Sequence, residues 1–253
     1  MSRGLLAGRK AIITGAANGI GLATARRFAA EGAHVAMLDH EAERVHAAAA
    51  SLQRARAFAA DVRDPAAVEK AITEAEQALG GLDIAVANAA IEPADDDRAD
   101  RLELDAWRRI IDTNLTGVFL TAKFSLAALL RSKSSDRSLI CTVSPTGIRG
   151  SAAGQDAYSA SKAGVIGLMR VMANDYAKEG IRVNGVMPGF TDTRLNAGLF
   201  SDAAKLADLI RTIPVGRPGA PDEVAAMIAW VASSEASYAI GSLFVVDGGM
   251  TAI

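Results

Sequence analysis

The stretch TGAANGIG (14–21) restricts this chain to few architectures. It follows the apolar run KAIIT (10–14) without a gap and opens a segment of helical period. Glycines fall at 15, 19 and 21. Glycine takes positive φ at no steric cost, so a strand can turn sharply there into a helix. With no side chain in the way, the backbone can approach a pyrophosphate. The helix N-terminus adds unbonded N–H groups and the positive end of its dipole. The spacing is G-x-x-x-G-x-G rather than G-x-G-x-x-G, but the context of strand, turn and helix is the one a dinucleotide site needs. Gly15, Asn18, Gly19, Ile20 and Gly21 are therefore expected at the cofactor phosphates.

The rest of the chain repeats this rhythm. Short apolar or β-branched runs at 10–14, 34–38, 55–60, 83–87, 139–143, 181–187 and 243–246 read as strands. Their nearly continuous apolar character suits strands covered on both faces. Helical patterns lie between them, at roughly 19–31, 41–53, 65–78, 105–131, 157–178 and 221–233, with Pro65 and Pro221 where helices start. The alternation predicts an α/β fold: a doubly wound, Rossmann-type, seven-stranded parallel sheet with helices on both faces. No linker or compositional break interrupts residues 1–253, so one domain is expected. The rhythm fails from Phe190 to Pro214, where Gly198 and several Asp and Ser residues break a weak helical pattern. Such an insertion after a strand predicts a substrate lid at about 190–214. The run ADDDRADRLELD (94–105) reads as a solvated loop and helix start.

Asp39 ends the second strand, about 20 residues after the glycine turn. A carboxylate there can accept hydrogen bonds from both hydroxyls of an adenosine ribose and repel a 2′-phosphate. It can also cap the following helix, and the two roles can coexist. Asn18 stands where a basic residue could have met that phosphate. Both choices favour NAD over NADP. Other chemistries find little support. Lys and Arg total 27 against 29 Asp and Glu, which gives no basic bias toward nucleic acid or an anionic membrane. The lone Cys141 lies in SLICTV and reads as a buried small hydrophobe, and His34, His40 and His46 have no partners at metal-ligand spacing. No metal is expected. No apolar run approaches the ~20 residues that span a bilayer. The first residues lack a signal peptide's continuous apolar core. A cytoplasmic setting is expected.

The segment DAYSASK (156–162) places a phenol, Tyr158, one helical turn before an ammonium, Lys162. The pair is either an exposed amphipathic couple or an acid with the cation that tunes it. The surrounding motifs favour the second. With the glycine turn, they resemble the short-chain dehydrogenase/reductase family over essentially the whole chain. DV (61–62) is similar to its adenine-contacting pair, and ANAA (87–90) to its Asn-Asn-Ala-Gly turn with Ala87 and Ala90 as departures. DTNLTG (112–117), VMPGFTDT (186–193) and VVDGG (245–249) are similar to three further signatures.

The resemblance implies a site. Cofactor contacts fall on the glycine turn, Asp39, Asp61, Val62, Asn88, Ala90, Tyr158, Lys162, Pro188, Gly189, Thr191 and Thr193. Catalysis falls on Asn114, Ser144, Tyr158 and Lys162. A free phenol, with pKa near ~10, is a poor base at neutral pH. A nearby ammonium and the positive nicotinamide ring favour the phenolate. Ser144 would hold the developing alkoxide, and Asn114 a water linking Lys162 to solvent. Ser144 lies one residue farther from Tyr158 than in the family pattern. Counting back from Tyr158 lands on Pro145, which has no hydroxyl, whereas aligning on Gly147 selects Ser144; Thr146 is the runner-up.

Specificity is expected from the loop 148–157, the segment 91–100 and the lid, which offer Glu92, Arg149, Gln155, Asp156, Phe190, Leu195 and Leu199. Ser144, Arg149, Gln155 and Tyr158 are the expected substrate contacts, and their polarity suggests a polyol or sugar. The favoured reading is NAD-dependent hydride transfer between the nicotinamide and a secondary alcohol or ketone. The alternatives are an NADPH-dependent 3-oxoacyl-thioester reductase and a non-catalytic nucleotide-binding regulator. The family resemblance and the apolar stripes on the long helices imply a homotetramer acting on a small molecule.

Overall fold

The computed structural model describes residues 4–150, 153–196 and 203–252. Seven parallel strands form one sheet in the order β3-β2-β1-β4-β5-β6-β7. They are β1 (Lys10–Thr14), β2 (His34–Asp39), β3 (Ala55–Ala59), β4 (Ile84–Ala87), β5 (Arg137–Thr142), β6 (Ile181–Pro188) and β7 (Leu243–Val246). Every residue of β4 and β6 is buried, as expected where helices cover both faces. The strand order reverses between β1 and β4, which pair Ala11 with Ile84 and Ile13 with Val86. That reversal opens a crevice at the carboxyl ends of the strands, the ligand position in open α/β sheets.

Two apolar layers sandwich the sheet. One gathers Ile12, Val68, Leu82, Leu129, Leu139 and Val165 under α3 (Pro65–Leu79), α5 (Gly117–Arg131) and α6 (Asp156–Tyr176). The other gathers Ile13, Phe28, Met37, Ile140 and Ile228 under α1 (Gly19–Ala30), α2 (Ala42–Ala50) and α8 (Pro221–Ala232). Local signals set the helix ends. Asp64 accepts from the N–H groups of Ala66 and Ala67 ahead of Pro65, and α3 stops at Gly80, whose φ is +72°.

Three segments differ from the sequence reading. The helix read over 105–131 is α4 (Leu104–Ile111), a π-helical turn (Asp112–Thr116) and α5. Together, Leu104–Arg131 are long and apolar enough to cross a membrane by length and composition, against the expectation of no such stretch. Most of that helix is buried inside the fold, as a core helix is. The acidic run 94–105 is more than a solvated loop. Asp96 caps α6, accepting from Ala157 N at 3.1 Å and Tyr158 N at 2.9 Å. Asp156 returns the contact by accepting from Ala99 N at 2.8 Å. Within the expected lid, a 3₁₀ turn (Arg194–Asn196) and α7 (Ala203–Arg211) are ordered helical pieces. Gly198 and Leu199 lie outside the described residues.

Candidate active site

The crevice is a cavity of about 1210 Å³. The glycine turn forms its floor. Gly15 and Gly19 take φ of +67° and +52°. Asn18 makes no side-chain cap to α1, and no acidic residue stands in the first turn, so the helix N–H groups there are left for a ligand. A Cβ at Gly21 would lie 2.0 Å from the Gly15 carbonyl oxygen, so only glycine closes this turn. Gly21 itself does not line the cavity; it lets Gly15 and Gly19 do so. The Gly21→Ala variant is expected to lose dinucleotide binding at this turn and about 1–3 kcal/mol of stability, read by fluorescence titration and a melting curve.

Asp39 is buried at the cavity wall. One carboxylate oxygen accepts from Ala17 N at 3.0 Å and the other from Glu41 N at 3.1 Å. An ionised carboxylate has about four acceptor sites, so capacity for a diol remains. His40 Nδ1 lies 3.2 Å away. Asp61 also lines the wall, but Arg63 grips its carboxylate at 2.6 Å and holds its pKa below the usual value. Val62 packs where a Cβ on Gly117 would come within 2.7 Å.

Asn88 ties the turn to the sheet. Its amide donates to Thr14 O at 3.0 Å and accepts from Thr142 Oγ1 at 3.2 Å. Thr14 Oγ1 in turn accepts from Asn88 N and Ala89 N. Neither threonine was singled out from the sequence, since a strand-terminal threonine looks like any β-branched residue. Ala90 has no positive φ, so the departure from glycine brings no strain. Opposite, Pro188, Gly189, Thr191 and Thr193 line the wall. Gly189 lies so close to β7 that a Cβ would meet Asp247 Cα at 2.7 Å. Thr191 Oγ1 donates to Gly189 O, and the Thr193 side chain stands beside Gly19.

Tyr158 and Lys162 are buried on one face of α6 and line the cavity. Lys162 Nζ lies 5.5 Å from the Tyr158 ring centre and donates to Thr142 O at 3.2 Å. Burial lowers its pKa to about 8, against the opposing charge of Glu92. Burial pushes the phenol of Tyr158 up, the charge of Glu92 adds to this, and a hydrogen bond with Ser144 opposes it. The protein's own groups therefore do not hold this phenol down, although its place in the first turn of α6 favours negative charge. Burial also pushes the Cys141 thiol up to about 12, as suits an inert core residue.

The 3₁₀ turn Pro145–Gly147 follows β5, and Ser144 precedes it. At Gly147 a Cβ would lie 2.8 Å from the backbone of Lys162 and Ala163, so glycine lets this turn sit directly on α6. That contact brings Ser144 beside Tyr158. Thr146 Oγ1 donates to Ser144 Oγ at 3.1 Å and orients it. Asn114 sits in the π-helical turn and is fully buried. Its amide exchanges two 2.8 Å hydrogen bonds with the main chain of Ile91 and does not line the cavity. The side chain expected to hold a water also fixes the segment after β4.

The expected substrate contacts divide. Arg149 and Gln155 line the cavity, but Arg149 Nη1 donates to Met250 O at 2.8 Å and Gln155 donates to Glu92. Asp156 faces Ala99 and is not on the cavity wall. Ile91, Pro93, Pro145, Phe190, Leu195 and Met250 make most of this end apolar. Of the polar patch Arg149, Gln155 and Asp156, two residues reach the cavity wall, and all three also hold contacts within the protein. Among the described residues, no group of three His, Cys, Asp or Glu could hold a metal ion.

A family model described as enoyl-(acyl carrier protein) reductase matches residues 15–251. The 3β-hydroxysteroid dehydrogenase 1 of Eggerthella lenta is 40% identical, over 97% of this chain and 95% of that one. The cis-4-hydroxycyclohexanecarboxylate dehydrogenase of Sinomonas cyclohexanicum is 43% identical, over 97% of each chain. A short-chain type dehydrogenase/reductase from Mycobacterium marinum superposes with a TM-score of 0.91 at 35% identity, covering 98% of this chain and 97% of that one.

Proposed function

The chain belongs to the short-chain dehydrogenase/reductase family, and we propose that it uses NAD to interconvert a secondary alcohol and a ketone of largely apolar skeleton. One observation carries this reading: Tyr158, Ser144 and Lys162 converge at the apolar end of a cleft whose other end holds the glycine turn and Asp39. NAD, when bound, supplies the hydride acceptor, and NADH the donor. Gly15, Gly19 and the first N–H groups of α1 would hold its phosphates, Asp39 the adenosine ribose, and Lys162 the ribose next to the nicotinamide.

The chain's own residues handle the proton. In oxidation, Tyr158 Oη takes the hydroxyl proton while Ser144 Oγ donates to the substrate oxygen. In reduction, Tyr158 returns the proton to the oxygen that Ser144 holds. Thr146 keeps the Ser144 hydroxyl aimed, and Asp96 anchors the N–H of Tyr158 itself. Lys162 brings positive charge beside the phenol. Asn114 acts through the segment after β4, which it pins at Ile91. Burial by Ile91, Pro145 and Phe190 keeps bulk water from the reacting carbon. A cytoplasmic homotetramer fits the family, and exposed Leu104, Trp107, Phe119 and Val171 on α4, α5 and α6 offer apolar faces for it.

The test is hydride transfer to NAD⁺ from alicyclic secondary alcohols, compared with sugars, acyl thioesters and NADP⁺. Turnover confined to acyl thioesters with NADPH would overturn the proposal. Ser144→Ala is expected to cut kcat about 10²–10³-fold. It also removes the contact that lowers the Tyr158 pKa, so the rise of oxidation rate with pH should move to higher pH. An unmoved pH profile would place Ser144 away from the phenol.

A further inference from the structure

We propose that Glu92, with Gln155, forms a second substrate subsite: an acceptor for a hydroxyl or ammonium group that the substrate carries besides the reacting carbinol. This rests on the alcohol-dehydrogenase reading above and narrows its substrate class.

Glu92 follows β4 at the point where the strand order reverses, and its side chain stands on the cavity wall with Tyr158, Lys162 and Gln155. Gln155 donates to one of its carboxylate oxygens, Oε1. Among the described residues no protein donor reaches Oε2, and no arginine or lysine forms a close ion pair with Glu92, although the charge of Lys162 acts on it from farther away. The nearby Arg109 is taken by Asp95 at 2.6 Å. This placement is costly. Burial raises the pKa of Glu92, the hydrogen bond from Gln155 and the charge of Lys162 oppose this, and Asp96 adds to it. Its charge in turn works against the phenolate of Tyr158. A carboxylate that is desolvated, opposes the general base and binds the fold through one amide contributes little to stability. Its open oxygen, on the wall it shares with Tyr158, Lys162 and Gln155, is placed for a ligand.

The chemistry of that ligand follows from the donor set. An ionised carboxylate only accepts, so it takes O–H or N–H donors. It repels carboxylates and phosphates, so anionic groups are excluded from this end of the substrate. Gln155 fixes the carboxylate in one orientation, which favours a substrate whose second donor sits at a defined position on a ring or short chain. A monohydric alcohol would leave Glu92 unpaired against apolar surface and should bind more weakly.

The experiment compares kcat/KM with NAD⁺ for cyclohexanol, cyclohexane-1,2-, 1,3- and 1,4-diol, and 2-aminocyclohexanol, on wild type, Glu92→Gln and Glu92→Leu. NADH titration of each variant checks that the cleft is intact. In wild type at least one diol or the amino alcohol should exceed cyclohexanol roughly ten- to hundredfold. Glu92→Leu should bring that ratio to within about threefold of unity. Glu92→Gln separates the two donors: its amide oxygen keeps part of a diol preference, whereas an ammonium preference disappears. An equal ratio in wild type and Glu92→Leu, or a wild-type preference for cyclohexanol, would overturn the subsite and leave the alcohol-dehydrogenase reading standing. Absence of hydride transfer from every alcohol, with NADH bound, would overturn both.

Discussion

Replacing Tyr158 with phenylalanine is expected to lower turnover by about four orders of magnitude while leaving NADH binding nearly unchanged. The ring is buried in α6 and packs under Lys162, whose Nζ lies 5.5 Å from its centre. Phenylalanine keeps the ring, the packing and the cation–π contact. Only the hydroxyl goes, and the one side-chain contact it gives up is with Ser144. The melting temperature should therefore move little. Lys162, the basic group beside the ring, is held toward Thr142 O and does not take the place of the phenol as proton acceptor. Single-turnover absorbance at the nicotinamide band, with NADH binding measured in parallel, separates lost chemistry from lost cofactor. Turnover near wild type in this variant would remove Tyr158 from the reaction.

The fold was largely legible because its information is local. Strands buried on both faces are nearly continuous apolar runs, and β1 and β7 fall on the expected residues. β5 was read two residues late, because Arg137 and Ser138 look like loop. In the sheet they pair with Ile181 and Arg182, and Ser138 is fully buried. The π-helical turn at Asp112–Thr116 was not legible, since a one-residue slip in backbone hydrogen bonding leaves no mark on side-chain periodicity.

The site was legible where spacing carries it, at Gly15, Gly19, Tyr158 and Lys162, and less so where partners come from far along the chain. Asp96 caps a helix some 60 residues away, as its bond to Ala157 spans 61 positions. A sequence reveals a cap only when the acid adjoins its own helix, so the acidic run read as solvent-facing. Glu92 was seen as one polar residue in a loop; only the fold brings Gln155 to it across 63 positions. The contacts of Arg149 and Asp156 within the protein were hidden for the same reason. Their partners, Met250 and Ala99, give no sequence signal near them.

Asp39 is expected to set the cofactor preference, with kcat/KM for NAD⁺ exceeding that for NADP⁺ by about 10²–10³. The charges around Asp39 support this. Glu41 and Asp61 line the same end of the cleft, and the two arginines there are already paired: Arg63 with Asp61 at 2.6 Å and Arg194 with Glu41 at 3.1 Å. A 2′-phosphate would meet the Asp39 carboxylate, and like charges 4 Å apart cost about 4 kcal/mol near a protein surface. It would also have to compete for arginines that already hold carboxylates. Asp39→Ala would confuse this test, because the carboxylate also accepts from Ala17 N and Glu41 N and so shapes the glycine turn. Asp39→Ser keeps a short acceptor for one of those N–H groups and removes the charge. In that variant the NAD⁺ to NADP⁺ ratio should fall to within about tenfold of unity, mainly by loss of NAD⁺ efficiency, while Tyr158 chemistry is untouched. Adding Glu41→Ala releases Arg194 from its partner and should carry the preference over to NADP⁺. A wild-type enzyme that prefers NADP⁺, or an Asp39→Ser variant with an unchanged ratio, would move the source of selectivity away from Asp39.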